Sequence, residues 1–313
     1  MSEFDLIARI RSNAPQDNTV VGIGDDAAVF AIEAGNQVVA CCDTLVEQVH
    51  FFADDPAPDV GYRSLAVNIS DLAAMGARPG WALLAVSAPS GEADWIAAVS
   101  DGVIACSGKF GMTLAGGDIS VGPKCITVTA VGQVPDGKAL TRAGASAGEL
   151  IVLSGCTGRA ALAVHQRTSG HAESPGARES RLRPVPRIGL GRALVGKATA
   201  CVDVSDGLLA DLKHLLKASG CGAKLDLDQV PIAPELESLS SAERERFQLA
   251  GGDDYELVFT LPVSHRHSLE ELSEVGGVSL TVIGQTTDEA DIRCYDGQGR
   301  ERRLRETGYE HFA

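Results

Sequence analysis

Aspartate is the residue around which any chemistry in this sequence must be built. Asp25 and Asp26 in GIGDDAA, Asp43 in ACCDTL, Asp71 in NISDLA, Asp118 in LAGGD, Asp203 and Asp206 in VDVSDG, and Asp253 and Asp254 in GGDDYE adjoin glycine or follow an apolar run. A single aspartate in such a place is an N-cap or a turn former. A whole series of them, with few histidines in comparable positions, points to carboxylates gathered where strands end and ligands bind.

Gathered carboxylates repel one another and stay ionised together only with cations among them. Mg²⁺ takes hard oxygen donors and bridges protein carboxylates to phosphates, so the pattern predicts several magnesium ions and a phosphate-bearing ligand. The same reasoning explains VGIGDDAAVF, where Gly22, Gly24 and Ala27 satisfy a loose GxGxxA phosphate loop that nevertheless carries two acids. In extended backbone Asp25 and Asp26 point to opposite sides, so one serves as a metal ligand and the other caps or hydrogen-bonds the loop. The loop is not a dinucleotide fingerprint, because AAVFAIEAGNQVVACCD continues as a hairpin where a helix is required. GRALVGKAT is not a Walker A loop either: Ala198 follows Lys197, the hydroxyl is one residue late, and the apolar spacing suits an ordinary helix.

Other polar residues adjoin these segments. Arg142 in LTRAGA is a fork donor suited to phosphate, though also an unremarkable surface arginine. His50 follows Asp43 by seven residues, Glu256 follows GGDDY, and the terminal GYEHF brings aromatics that would have to fold back over a site.

Short runs rich in Val, Ile and Ala predict strands at VVGIG, QVVACCD, WALLAVSAP, MTLAGGD, CITVTAVGQV, LIVLSG, ATACVDVSD and DYELVFTLP. Helical patterns lie between them at VGYRSLAVNISDLAAMG, DWIAAVSDGVIACSGKFG and LLADLKHLLKASG, so the class is α/β. A turn-rich segment near VPDGKALTRAGASAGEL divides the chain into domains of residues 1–140 and 141–313. From Arg167 to Arg187 the composition predicts a long, mobile surface loop. VNISDL (67–72) and VDVSDG (202–207) lie 135 positions apart, as do the two copies of LAGGD, which raises an ancient duplication although the intervening sequence does not match.

With 313 residues, 44% hydrophobic, the chain can bury two cores. A net charge of −15 argues against a nucleic-acid partner. The eight cysteines form no CxxC pair and read as reduced thiols, the N-terminus lacks a basic-then-apolar leader, and no run approaches the roughly 18 apolar residues of a membrane span. A soluble, cytoplasmic protein is expected.

GIGDDAA, DTLVEQVHF, AVNISDLAAMGA, LAGGD, LTRAGA, LRPVPR, VDVSDGL, GGDDYEL and GYEHF, in this order over nearly the whole chain, resemble the thiamine-monophosphate kinase family. Its superfamily includes aminoimidazole ribonucleotide synthetase, selenophosphate synthetase and the hydrogenase maturation ATPase. The resemblance implies a two-domain aminoimidazole ribonucleotide synthetase-like fold, with an N-terminal mixed sheet and helices for ATP, Mg²⁺ and dimerisation and a C-terminal α/β domain completing the site. It implies a homodimer and phosphorylation of thiamine monophosphate by ATP. Carried over by position, Mg²⁺ ligands fall on Asp26, Cys42, Asp43, Asp71, Asp118, Asp203 and Asp206. ATP contacts fall on Gly117, Asp118, Arg142 and Ser205, and substrate contacts on His50, Glu256 and Tyr309, the last two suited to a cationic thiazolium. Two departures stand out. Cys41 and Cys42 replace the family's hydroxyl residues before Asp43, leaving only a backbone carbonyl as a good hard donor there. Gln48 replaces a glycine, which strains the local turn.

The expected reaction is direct in-line phosphoryl transfer with no general base and no covalent nucleophile, because the acceptor oxygen is already ionised. Another ATP-using activity of the superfamily, of the selenophosphate or aminoimidazole ribonucleotide synthetase type, and a non-catalytic acidic metal-binding protein are the alternatives.

Overall fold

The computed structural model describes residues 3–15, 19–302 and 308. The chain divides into two compact units: the first runs to Gly137, except that Ala73–Gly76 belong with the second, which takes up the chain at Lys138.

The first unit comprises α1 (Glu3–Asn13), β1 (Thr19–Val21), β2 (Val29–Phe30), β3 (Asn36–Val46), α2 (Ala57–Ala74), β4 (Arg78–Ala88), α3 (Ala93–Phe110), β5 (Thr113–Val121) and β6 (Cys125–Pro135). Four strands form a mixed sheet in the order β3-β6-β4-β5, antiparallel except for β4 and β5, which are parallel and joined through α3. Alternation along β4 and β6 supplies one buried face, with Ile126, Val128 and Ala130 fully buried. The α2 helix carries a wide apolar stripe, Leu65, Ile69 and Leu72 among it, and crosses α3 at unusually close range. A Cβ on Gly61 would stand 1.9 Å from the Val99 carbonyl oxygen and one on Gly102 2.0 Å from that of Pro58, so only glycine permits the crossing. The hairpin expected after GIGDDAA does not form: β2 pairs with β1 and β3 with β6. No helix follows the loop at once, so its strand-to-strand setting excludes a dinucleotide fold.

The second unit comprises β7 (Leu150–Ser154), α4 (Arg159–Thr168), α5 (Pro175–Leu182), α6 (Ile188–Leu194), β8 (Ala200–Asp203), α7 (Leu208–Ser219), β9 (Gly222–Asp226), α8 (Ser241–Ala250), β10 (Leu257–Leu261), α9 (Leu269–Gly276), β11 (Leu280–Thr287), β12 (Ile292–Tyr295) and β13 (Glu301–Arg302). Seven strands lie in the order β13-β12-β9-β11-β7-β10-β8. The central strands β7 and β10 are buried along their whole length, which is why they read as unbroken apolar runs. Lys197 of the false Walker loop lies beyond the end of α6 and pairs with Glu271 at 3.2 Å, so it cradles no phosphate.

One sequence expectation fails here. The 167–187 segment is not a structureless loop. It contains α5, whose Ala177 and Leu182 are buried, and Arg181, 1% exposed, forks onto Glu173 through Nε (2.6 Å) and Nη2 (3.1 Å). Composition missed this because an arginine-rich segment can be anchored by a buried ion pair rather than by apolar area. Nor do the repeated strings present one design. VNISDL lies inside α2, whereas VDVSDG is the end of β8 and the loop after it; LAGGD is part of β5 in one copy and the end of α8 in the other.

Candidate active site

In the first unit two groups of acids are assembled. Asp43 lies within β3 rather than at its end, and alternation places Cys41, Asp43 and Leu45 on the inward face, with Cys42 and Thr44 outward. The Asp43 NH goes to the Oδ1 of Asn68 at 3.1 Å, and Asn68, fully buried, is held by its own Nδ2 on the Ser64 carbonyl at 3.0 Å. Asp71 sits one turn further along α2 and is hydrogen-bonded to Asp43, carboxyl to carboxyl. It is therefore a mid-helix acid, within the helical pattern expected at VGYRSLAVNISDLAAMG, and not at a strand end. Burial pushes the Asp43 carboxyl above the usual range, partly offset by the Asp71 contact. The Cys41 thiol is also pushed up, by burial first and then by the Asp71 and Asp43 charges, and it points at the Asn68 carbonyl at 3.2 Å. Cys42 faces the other way, exposed, with the Thr129 hydroxyl 3.5 Å from its sulfur. Its side chain cannot share a coordination sphere with Asp43 and Asp71.

The second group surrounds a cleft of about 570 Å³ lined by Asp25, Asp26, Phe30, Gly117 and Asp118 together with apolar side chains of α1 and β4. The Asp25 Oδ1 accepts the Asp26 NH at 2.9 Å, so Asp25 hydrogen-bonds the loop, while both acids are exposed and line the cleft. The floor is fixed by Phe30 stacked on Trp81, ring centroids 4.6 Å apart. Gly117 in β5 has φ 154°, and a Cβ there would lie 1.8 Å from the Leu84 carbonyl oxygen, so LAGGD needs its second glycine for strand packing.

His50 is held by its backbone and ring. Its Nδ1 accepts the Val46 NH at 3.0 Å, which leaves Nε2 as the protonated nitrogen of the neutral ring, and Arg63 donates to its carbonyl at 2.6 Å. The preceding turn places Gln48 at φ 64°, the left-handed conformation expected where the family carries glycine.

In the second unit the VDVSDG and GGDDYE segments are zipped together by backbone bonds: Val204 NH to Glu256 O (2.8 Å), Tyr255 NH to Val204 O (2.8 Å) and Asp253 NH to Ser205 O (2.8 Å). Asp253 and Tyr255 adopt positive φ, 67° and 54°, and the Tyr255 hydroxyl holds the Asp253 carboxylate at 2.8 Å. Asp203 is buried; Ser205 and Asp206 are half-exposed. Asp254 is structural: its Oδ2 accepts the Gly158 NH at 2.8 Å ahead of α4, and burial drives its carboxyl well above the usual range. Arg142 is exposed, and among the described residues its guanidinium has no hydrogen bond or ion pair, while Cys201 NH to Thr141 O (2.9 Å) and Ser219 Oγ to Arg142 O (3.0 Å) fix its backbone.

Glu256 departs from the sequence expectation. It is 4% exposed, and its carboxylate is taken by the Arg187 fork, Nε at 2.7 Å and Nη2 at 2.5 Å, and by the Ser154 hydroxyl at 2.5 Å. A free counter-ion for a cationic ring is therefore not what this side chain presents. Tyr309 lies outside the described residues. Among the described residues no three His, Cys, Asp or Glu side chains form a preassembled metal cage.

Sequence reading missed Asn68, Arg187, Ser154 and Asp211. The Asp211 carboxylate accepts the NH groups of Ser205, Asp206 and Gly207. Burial first, then the Asp203 charge, pushes its carboxyl up to about 7 despite these donors. The available signal was its position one turn into the helix that follows SDG.

This architecture is that of the AIR synthase related proteins: the N-terminal domain model of that family matches residues 24–134 and the C-terminal domain model residues 146–297. The chain is 40% identical to the thiamine-monophosphate kinase of Escherichia coli K12 over 319 aligned positions, covering 99% of this chain and 98% of that one. It superimposes on the crystal structure of thiamine-monophosphate kinase from Stenotrophomonas maltophilia with a TM-score of 0.87 at 42% identity, over 94% of this chain and 96% of that one. AaThiL complexed with AMPPCP and TMP matches at TM-score 0.77 and 26% identity, over 99% and 97% of the two chains. The chain belongs to the thiamine-monophosphate kinase family.

Proposed function

We propose that the chain transfers the γ-phosphoryl group of ATP to the phosphate of thiamine monophosphate, giving thiamine diphosphate and ADP. The observation that carries this reading is the Asp43–Asp71 contact, in a chain that aligns end to end with thiamine-monophosphate kinases. Two half-buried carboxyls in contact need a proton or a cation, and these oxygen-only donors fit Mg²⁺. Asp26, Asp43, Asp71, Asp118, Asp203 and Asp206 would hold it, with the Cys42 carbonyl rather than its sulfur. When bound, Mg²⁺ neutralises phosphoryl charge.

The chain's own part is positioning. An oxygen of the acceptor phosphate attacks the γ-phosphorus in line as the bond to the β-phosphate breaks, and no residue need remove a proton. Gly117, Asp118, Arg142 and Ser205 contact ATP, with the Arg142 fork, unpaired among the described residues, suited to an incoming phosphate. His50 and Tyr309 contact thiamine monophosphate, and Glu256 contributes through the Arg187 it holds. Residues 1–140 supply the ATP and Mg²⁺ site and the contact of a homodimer, for which the outward face of β3, with Val38 53% exposed, is a fitting surface. Eight free cysteines suit a cytoplasmic setting, and the acidic charge suits no nucleic-acid or membrane partner. Other superfamily activities are not favoured by the relatives. The test is ADP release that depends on thiamine monophosphate, with thiamine diphosphate identified as product; ATP hydrolysis indifferent to thiamine monophosphate would overturn the proposal.

A further inference from the structure

We infer that Asp211 is a positioning residue that holds the Ser205–Gly207 loop in its working shape. Three consecutive backbone NH groups, those of Ser205, Asp206 and Gly207, converge on a single oxygen, Asp211 Oδ2, at 2.9, 3.0 and 3.1 Å. Successive NH groups turned inward ahead of a helix form a nest for an anion, the device by which phosphate loops hold phosphate. Here the chain fills the nest with its own carboxylate, reaching back from α7, and Asp211 is 1% exposed.

Two consequences follow for the reaction proposed above, on which this inference rests. With their backbone donors satisfied from behind, the Ser205 hydroxyl and Asp206 carboxylate are not drawn onto their own loop, and Asp206 remains available in front. The nest is also closed to phosphate, so a nucleotide meets this loop through its side chains. Asp211 touches no reacting atom in this scheme and acts through the loop it fixes.

The experiment compares Asp211→Ala and Asp211→Asn in the full chain. Asparagine keeps an acceptor oxygen and alanine none. The Ala variant is expected to lose about tenfold to a hundredfold in kcat or in Mg²⁺ half-saturation, the range for losing a partner that orients metal ligands, and the Asn variant to stay within about threefold of wild type. Amide hydrogen exchange over residues 204–208 reads the loop independently of activity: protection should persist in wild type and Asn and fall in Ala. Absent activity in wild type with this exchange pattern intact would defeat the proposed reaction and leave the loop assignment standing. Protection equal in Ala and wild type, or a tenfold kinetic loss in the Asn variant, would overturn the inference. Should Ala fail to fold, the Asn kinetics and exchange decide alone.

Discussion

Glu173→Ala should destabilise the second unit far more than loss of a surface ion pair. Glu173 is side-chain 6% exposed and takes the Arg181 fork, with Arg167 Nη1 at 3.2 Å and Arg178 Nε at 3.9 Å also on it. Arg181 is 1% exposed, so removing the carboxylate takes both contacts of its fork from a buried guanidinium and relieves none of the repulsion from Arg167 and Arg178. Breaking such a pair costs about 3–5 kcal/mol, and the exposed Arg178, which can turn to water, argues for the lower end, about 3 kcal/mol. At about 2–4 °C per kcal/mol for a unit of this size, the melting temperature should fall by roughly 6–12 °C. Calorimetry of Glu173→Ala against wild type measures it, with Glu271→Ala as control, because Glu271 is 68% exposed and its pair with Lys197 should be worth under about 1 kcal/mol. A drop below about 2 °C, equal to the control, would refute the argument that this pair anchors α5.

Three further outcomes are expected. Asp211, raised to about 7 against about 3.9 in an unfolded chain, holds its proton longer when folded, so its contribution is full below about pH 4 and lost as pH rises through about 7. Urea unfolding with chelator should show stability falling between pH 5 and 8, with a shallower slope in Asp211→Asn. Asp43→Asn or Asp118→Asn should lower kcat for thiamine-monophosphate-dependent ADP release by at least about tenfold, and unchanged turnover in both would sink their shared role with the metal. At Gln48, φ 64°, glycine should be more stable than valine by about 1–2 kcal/mol in urea midpoints, because only the β-branched residue must bear a left-handed backbone.

Much of the fold was legible because periodicity is local. The eight apolar runs became strands, and the three long helical patterns became α2, α3 and α7. Strands β9, β11, β12 and β13 escaped notice: they are only partly buried or exposed, and their patterns are interrupted by polar residues. The acids were equally legible as types, and so was the chance that one of the Asp25–Asp26 pair would hydrogen-bond its own loop, as Asp25 does.

What the sequence by itself determined was the supply of hard donors, the glycines that let backbone pass closely, and the order of elements. Which donors meet was decided by tertiary structure. Asp71 reaches Asp43 because α2 lies against an edge strand, Glu256 is claimed by an arginine 69 positions away, and Asp211 reaches back into a nest made by the preceding loop. A carboxylate binds whichever cation or NH group the fold brings within about 3 Å, and sequence distance carries no information about that approach.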